Sequence, residues 1–354
     1  MFHHIRRAFA TAILAGGVAI GTLPGTAHAD TPIKVVLNWK YEGPQAWFFL
    51  AQDRGYFKQQ GLDVTFDQGE GSSASIPKVA AGAYQAGFGD LNAVIEMAAK
   101  DPARAPVAVD VLYNTPPFVI VVKNDSPIKV PADLAGKTVG APANDGALKL
   151  FPAFARLTKI DASSVHITNM APNLREQMLM RGQVDAVFGY ATTITFSAKA
   201  MGIDASRDLR FIRYGDHGVD LYSNTVFFAR DFVKAHPDAV RGFLAALNHG
   251  IRDVIANPDA GVDAVMKREP LLNRDVEKQK LLATMRNDMS HPEIAKLGLG
   301  DVDQTRLKRG ISTIVDAGKL QRTPTPAEVF DASFLPPRAD RPSAMSARSD
   351  LARN

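Results

Sequence analysis

A strand–helix–strand unit near the amino end of the chain is the feature that most constrains its fold. Residues 33–37 form a short apolar run rich in β-branched side chains, and residues 62–66 form a second one. Between them, Pro44 suits the first turn of a helix, where its missing N–H is not needed, and Gly55 marks the helix end. Two strands joined by a helix pair in parallel with a right-handed crossover. The chain is therefore expected to begin with an α/β sheet.

Polar and aromatic residues follow the first strand directly. Asn38, Trp39, Lys40 and Tyr41 stand at its carboxyl end, and residues 67–70 stand at the carboxyl end of the second strand. In open α/β sheets, ligands bind beyond the carboxyl ends of the strands. We therefore expect both strand ends to face one crevice that binds a ligand.

A turn rich in glycine and serine, GEGSSASIP, precedes the next helix. Because Pro77 fits only the first turn of a helix, the N-cap is expected among Ser72, Ser73 and Ser75. Free backbone N–H groups at such a helix start can bind a carboxylate, sulfonate or phosphate. The same residues are equally compatible with an ordinary serine-capped helix.

The first 29 residues have the pattern of a secretory signal peptide. They combine Arg6 and Arg7, an apolar stretch over residues 8–23, and a small-residue cleavage site ending at Ala29. The chain has no cysteine, which excludes both a disulfide framework and a lipid-anchored amino terminus. We therefore expect a soluble protein exported across the inner membrane of a bacterium into the periplasm.

The charge of the chain does not indicate nucleic acid as a partner. The formal net charge is +4, and removing Arg6 and Arg7 with the signal peptide lowers it to +2. This charge is small and evenly spread, whereas nucleic-acid-binding domains carry a concentrated basic patch.

The order of strands and helices predicts two lobes. Asn114 begins a connector with two prolines, after which the α/β alternation restarts, and residues 224–229 form a strand that returns to the first lobe. Two adjacent connectors between two lobes form a hinge that closes around a solute. The expected boundaries are 30–115 and 222–337 for the first lobe, 116–221 for the inserted second lobe, and 338–354 for a disordered tail. Further candidate ligand contacts lie at the strand ends of both lobes: Asp90, Asn114, Asn144, Asp145, Tyr190, Asp216 and His217.

Common enzymatic motifs do not fit the chain. Residues 69–74 match a dinucleotide-binding turn, with Asp90 downstream, but Pro77 lies in the phosphate helix and export separates the protein from cytoplasmic NAD. No G-x-S-x-G sequence occurs. The histidines after the signal peptide lack the spacing of metal ligands; they are His166, His217, His236, His249 and His291.

Several segments resemble a family of periplasmic solute-binding proteins that serve ABC importers and are related to the thiamine-precursor biosynthesis protein. These segments are NWK followed by FFLAQDRGYFKQQGLDV, and GAYQAGFGD, GKTVGAPANDG, MLMRGQVDAVFGY and FFARDFVKAHPDAVRGFLAAL. The resemblance implies a two-lobed α/β fold, the type II periplasmic binding protein, with two crossover strands as a hinge and a central ligand cleft. It also implies a monomer that delivers a small molecule to a transmembrane permease with a cytoplasmic ATPase.

The same family includes eukaryotic enzymes that make the thiamine pyrimidine. The resemblance implies that those enzymes depend on a cysteine-rich iron-binding motif and on an active-site histidine near the end of the first strand. This chain has no cysteine, and no histidine between Ala29 and His166. We therefore expect a binding protein with no catalytic residue, cofactor or metal.

The resemblance leaves the ligand open. Relatives bind thiamine precursors such as hydroxymethylpyrimidines, and more distant ones bind riboflavin, taurine, other sulfonates or nitrate. Aromatic residues near the cleft, among them Trp39, Tyr41 and Tyr190, could hold a flat ring. We expect a pyrimidine-like heterocycle or an aromatic acid, with a sulfonate, taurine or nitrate-type anion, or a secreted thiamine-pathway enzyme, as alternatives.

Overall fold

The computed structural model of the chain describes residues 30–345. The predicted signal peptide, residues 1–29, lies outside the described residues, as do residues 346–354. No helix within residues 30–345 is long and apolar enough to cross a membrane.

A mixed five-stranded sheet forms the first lobe. Its strands are β1 (Thr31–Val36), β2 (Leu62–Asp67), β3 (Ala86–Asp90), β4 (Val107–Val111) and β10 (Asn224–Phe228), in the order β2-β1-β3-β10-β4. β1 pairs in parallel with β2 and β3, whereas β10 runs antiparallel to β3 and β4. The parallel pairing of β1 with β2 confirms the strand–helix–strand unit predicted from the sequence.

A second mixed sheet forms the second lobe. Its strands are β5 (Phe118–Lys123), β6 (Thr138–Ala141), β7 (His166–Asn169), β8 (Ala186–Tyr190) and β9 (Leu209–Arg213), in the order β7-β6-β8-β5-β9. β5 is antiparallel to β8 and β9, and β6 is parallel to β7 and β8. Two mixed sheets with their own helices confirm the predicted two-lobed α/β fold.

Two connecting segments, residues 112–117 and 214–223, join the lobes. They run side by side, because the amide of Ser223 donates to the Tyr113 carbonyl at 2.9 Å and the amide of Tyr113 donates to the Asn224 carbonyl at 2.9 Å. The predicted lobe boundaries, 115/116 and 221/222, fall within these segments.

Helices cover the faces of both sheets. Those up to the second connecting segment are α1 (Ala46–Asp53), α2 (Tyr56–Gln59), α3 (Ser75–Ala80), α4 (Leu91–Lys100), α5 (Gly146–Lys149), α6 (Phe151–Thr158), α7 (Arg175–Met180), α8 (Ala191–Ala200) and α9 (Ala205–Asp208). Those after β10 are α10 (Arg230–Ala235), α11 (Pro237–Ala256), α12 (Pro258–Met266), α13 (Arg274–Asn287), α14 (Ile294–Leu297), α15 (Gln304–Ala317) and α16 (Pro326–Val329).

Large apolar cores take the place of disulfides. Trp47 on α1 and Phe118 on β5 are fully buried in these cores. The long helix α11 packs on α1 through one face that includes Phe243 and Leu247, both fully buried. Burying each such side chain stabilises the fold by about 1.5–3 kcal/mol.

The carboxyl-terminal segment differs from the expectation of disorder over 338–354. Within its described part, residues 338–345, Arg341 and Met345 are buried. The Arg341 guanidinium donates to the Leu299 carbonyl at 3.1 Å, and the Leu299 amide donates to the Pro342 carbonyl at 2.8 Å. Such docking through main-chain hydrogen bonds leaves no periodic pattern in the sequence, which is why composition alone suggested disorder.

Candidate ligand-binding site

A cavity of about 40 Å³ lies between the two lobes. This volume is well below the roughly 300–1,000 Å³ of small-molecule sites, so a ring-containing solute would need the lobes to move apart. The cavity is lined by Asn38, Trp39, Glu42, Pro44, Gln45, Gly71, Ser72, Tyr113, Asp145, Arg175, Tyr190, Thr193, Thr284 and Asp288.

The turn after β1 supplies the first side of the cavity. The Gln45 side-chain amide donates to the Asn38 Oδ1 atom at 2.9 Å, and the Glu42 amide donates to the Gln45 Oε1 atom at 3.1 Å. Pro44 stands in a short 3-10 helix, Gly43–Gln45, that leads into α1. These bonds fix the turn, so that Trp39 lies half-buried at the cavity wall.

A first ion cluster backs this side. Lys280 on α13 contacts two carboxylates, with its Nζ atom 2.9 Å from Glu42 and 3.3 Å from Glu277. Glu277 also accepts a hydrogen bond from the Gly43 amide at 2.7 Å. Burial raises the pKa of the Glu42 carboxyl, although the Lys280 ammonium opposes the shift. The cluster therefore presents an acidic group to the cavity.

A second ion cluster lies on the side of the second lobe. Arg175, at the start of α7, donates to Glu176 at 2.7 Å and lies 3.5 Å from an Asp145 oxygen. All three side chains are buried. Asp145 also caps α5 by accepting from the Ala147 amide at 2.8 Å. Burial raises the pKa of the Asp145 carboxyl, although Arg175 lowers it. The guanidinium is thus held between two carboxylates.

A third acidic group comes from the end of α13. Asp288 is buried beside Thr284 and Tyr113 in the cavity wall. Burial raises the pKa of the Asp288 carboxyl to about 7. This carboxyl can therefore be neutral or ionised near neutral pH, and a bound hydrogen-bond donor would favour its ionised form.

The two lobes touch each other at the edge of the cavity. The Tyr190 hydroxyl of the second lobe lies 2.8 Å from the Ser72 Oγ atom and 3.0 Å from the Ser223 Oγ atom. Gly71 has a φ of +132°, and a Cβ atom there would lie 2.5 Å from the Asn144 carbonyl oxygen. Gly71 is therefore needed for this close approach of the lobes.

The serine-rich turn differs from the expected anion cradle. The N-cap of α3 is Ala74, with no side-chain capping bond, and not Ser72, Ser73 or Ser75. The Ser73 amide donates to the Asn144 carbonyl at 3.3 Å, and the Ala74 amide donates to the Gly71 carbonyl at 2.9 Å. These N–H groups already have protein acceptors, so the turn serves the contact between lobes.

Five of the predicted ligand contacts line the cavity together: Asn38, Trp39, Ser72, Asp145 and Tyr190. Ser73 and Asn144 lie beside it, where their backbones bond the two lobes. Six others do not line it: Lys40, Tyr41, Asp90, Asn114, Asp216 and His217.

Each of these six has another environment. Lys40 and Asp216 are exposed, and the Tyr41 hydroxyl donates to the Phe66 carbonyl. Asp90 caps α4 by accepting from the Asn92 amide, Asn114 accepts from the His291 amide, and the His217 ring packs edge-on against Phe154.

The remaining lining residues were absent from the sequence-based set. Glu42, Gln45 and Arg175 lie a few residues past predicted strand ends, so a wider window along the chain would have included them. Thr284 lies in α13 and Asp288 directly follows that helix, which does not come directly after a strand in the chain. Local sequence carries no signal that this helix reaches the cavity.

Within residues 30–345, no cluster of three or more histidine, aspartate or glutamate side chains is arranged to hold a metal ion. The cavity lining, drawn from the same residues, contains no histidine.

Comparisons with known proteins agree on family and fold. The sequence model of the family described as "NMT1/THI5 like" matches residues 45–261. The riboflavin-binding protein RibY of Chloroflexus aurantiacus is 21% identical over 82% of this chain and 82% of its own. The formylaminopyrimidine-binding protein of Halalkalibacterium halodurans is 23% identical over 70% of this chain and 75% of its own.

An enzyme and a solved structure are similar as well. The 4-amino-5-hydroxymethyl-2-methylpyrimidine phosphate synthase of Schizosaccharomyces pombe is 23% identical over 64% of this chain and 66% of its own. The alkanesulfonate-binding protein SsuA from Xanthomonas axonopodis superposes with a TM-score of 0.64 at 16% identity, covering 87% of this chain and 99% of that one. The fold is therefore that of the periplasmic binding proteins, and the chain belongs to the NMT1/THI5-like family.

Proposed function

We propose that the protein is the periplasmic solute-binding component of an ABC importer. It captures a small ring-containing solute between its lobes and delivers it to a transmembrane permease with a cytoplasmic ATPase. The cavity between two sheets joined by two connecting segments supports this role, because such a layout allows hinge closure around a solute. The names of two relatives, which bind riboflavin and formylaminopyrimidine, point the same way.

The acidic residues of the cavity favour a ligand that donates hydrogen bonds. Glu42, Asp145 and Asp288 line it, while Arg175 is the one cation among the described lining residues and already contacts Asp145 and Glu176. An anion in a buried site needs positive charge, or hydrogen-bond donors that have no other acceptor. Carboxylates close to the anion oppose its binding. A ligand that donates hydrogen bonds, such as an amino-substituted pyrimidine, is complementary to these groups.

Aromatic side chains suit a flat ring. Trp39, Tyr113 and Tyr190 approach the cavity from both lobes. Offset or edge-on packing against such rings adds about 0.5–1.5 kcal/mol beyond the burial of apolar area. The solute is therefore an amino-heterocycle of the thiamine-precursor kind, with the ring between aromatic residues and its N–H groups on the carboxyls.

The alternatives find less support in the cavity. A sulfonate, taurine or nitrate would share the site with three carboxyls, and within the expected cradle at Ser72–Ser75 the Ser73 and Ala74 N–H groups already donate to protein carbonyls. The thiamine-pathway enzymes of the family are expected to depend on an active-site histidine and a cysteine-rich motif, whereas the described lining residues include no histidine and the chain has no cysteine. Binding without turnover is the function that the geometry favours.

Calorimetry on the mature protein tests the proposal. We expect formylaminopyrimidine or hydroxymethylpyrimidine to bind, and taurine and nitrate to give no heat. Trp39→Ala and Asn38→Ala should weaken pyrimidine binding at least about tenfold, because each lines the cavity. Lys40→Ala is the matched control, since this neighbour is exposed and outside the lining. Tight binding of taurine or nitrate, or conversion of a bound pyrimidine to a product, would overturn the ligand class or the binding role.

Cell fractionation tests the proposed location. The full chain, expressed in a bacterium with residues 1–29, should appear in the periplasmic fraction with Asp30 as its first residue. Retention of the intact chain in the cytoplasm would contradict export.

A further inference from the structure

One arginine contacts both segments that connect the lobes. Arg306 lies in the first turn of α15 and is only 3% exposed. Its Nη1 atom donates to the Asn114 carbonyl at 2.8 Å, and its Nε atom donates to the Asp220 Oδ1 atom at 2.9 Å. Asn114 belongs to the first connecting segment and Asp220 to the second. A single planar guanidinium therefore fixes the spacing between them.

The surroundings of Arg306 hold its side chain in one place. Its Nη1 atom also lies 3.1 Å from Glu293, and its guanidinium carbon lies 4.1 Å from the centre of the Tyr222 ring. The Tyr222 hydroxyl donates to Glu293 at 3.0 Å and accepts from the Asp303 amide at 2.8 Å. Buried, mutually bonded groups of this kind resist rearrangement, because each lost bond leaves a desolvated partner.

The same residues lead to the wall of the cavity. Asn114 follows Tyr113, and its Oδ1 atom accepts from the His291 amide at 2.9 Å. The next residue, Thr115, donates its amide to the Asp288 carbonyl at 3.1 Å. Tyr113 and Asp288 both line the cavity. A rotation of the connecting segments against α15 would therefore move two cavity residues.

We propose that Arg306 is the positioning residue of the hinge: by binding both connecting segments at once, it sets the angle between the lobes. It does not touch the solute, because it lies outside the cavity lining. The inference concerns the resting geometry of the two lobes, and it holds whichever solute the cavity takes.

Distance measurements by electron paramagnetic resonance test this role without any solute. The chain has no cysteine, so spin labels at Gln59→Cys and Gln183→Cys, both exposed and on opposite lobes, are the only labelled sites. The informative variants are Asp220→Asn, which removes the charged acceptor on one connecting segment, and Arg306→Lys, which keeps the charge without the planar fork. Arg309→Gln is the matched control, since Arg309 contacts only the outer oxygen of Asp220, at 3.7 Å.

We expect both informative variants to shift the label distances towards more open and more varied arrangements, with the ratio of open to closed forms changed about tenfold. The thermal midpoint of Asp220→Asn should stay near that of the parent, because the Asp220 side chain is half exposed. Arg309→Gln should leave the distances unchanged. Unchanged distances in folded Asp220→Asn, or an equal shift in Arg309→Gln, would overturn the role of Arg306. A solute-binding failure would leave these distances unaffected, so the two proposals fail separately.

Discussion

The two sides of the cavity hold their cations differently. On the first side, the Lys280 ammonium lies behind the wall, and Glu42 stands between it and the cavity. On the second side, the Arg175 guanidinium itself lines the cavity, and its 3.5 Å contact with Asp145 is long. The first side therefore offers a hydrogen-bond acceptor, and the second offers the Arg175 guanidinium as a donor beside the Asp145 acceptor. A ligand with N–H groups at one end and a ring nitrogen or carbonyl at the other would match both.

The largest expected effect is a difference between Arg175 and Lys280 in how much each contributes to the free energy of unfolding. Arg175→Met should lower the free energy of unfolding by about 3–5 kcal/mol, because it leaves Asp145 and Glu176 buried without a counter-charge. Lys280→Met should lower it less, since Glu277 keeps the hydrogen bond from the Gly43 amide. Urea unfolding measures both. Arg156→Met, which breaks an exposed pair with Asp316, serves as the control and should change stability by no more than about 1 kcal/mol. Equal losses in Arg175→Met and Arg156→Met would show that the second cluster is not effectively buried.

The next effect concerns how the acidic groups respond to pH. Burial raises the pKa of Asp288 to about 7, so the folded protein holds this proton over a range in which the unfolded chain has lost it. Folding stability should therefore fall as pH rises, by roughly 2–3 kcal/mol between pH 5 and pH 8 from this group. Asp288→Asn should remove that part of the pH dependence in urea unfolding. Asp125→Asn, at an exposed aspartate, should keep the parent's pH profile. A parent-like profile in Asp288→Asn would contradict the raised pKa.

Ligand affinity should depend on the Glu42 carboxylate in the cavity wall and not on the exposed charge of Lys40 nearby. Glu42→Gln should weaken binding of an aminopyrimidine about tenfold, because a charged acceptor for its N–H groups is lost. Lys40→Gln, two residues earlier but exposed, should leave the affinity unchanged. Calorimetry of both variants gives the comparison. A tenfold loss in Lys40→Gln would place the ligand outside the cavity described above.

The sequence predicted the parts of this site that follow local rules. Asn38 and Trp39 follow β1, an inner strand of the first sheet, and Tyr190 ends β8, an inner strand of the second, so the strand-end rule found them. The same rule proposed Asp216 after β9, but β9 is an edge strand and its end lies away from the cavity.

The strand-end rule could not identify Arg175 or Asp288 as cavity residues. Arg175 stands in NLREQMLM, where an arginine and a glutamate look like an exposed helical pair, although both are buried in the ion cluster. Asp288 reaches the cavity because α13 packs both on the Gly43–Gln45 turn of the first lobe and on α8 of the second. Burial and long-range packing of this kind are properties of the folded chain, and no spacing in the sequence encodes them.

The smallest expected effect concerns an exposed contact between the lobes, outside the cavity lining. The Lys199 Nζ atom of the second lobe donates to the Gln279 side chain of the first at 2.6 Å, but the contact is exposed. Water can replace an exposed hydrogen bond, and ordering a lysine side chain opposes its formation, so Lys199→Ala should change solute affinity by less than about 0.5 kcal/mol. Tyr190→Phe, which removes a half-buried hydroxyl bound to Ser72 and Ser223, should change it more. Calorimetry of both variants decides the matter. If Lys199→Ala had the larger effect, closure of the lobes would depend on this exposed contact and not on the Tyr190 hydroxyl between the two sides.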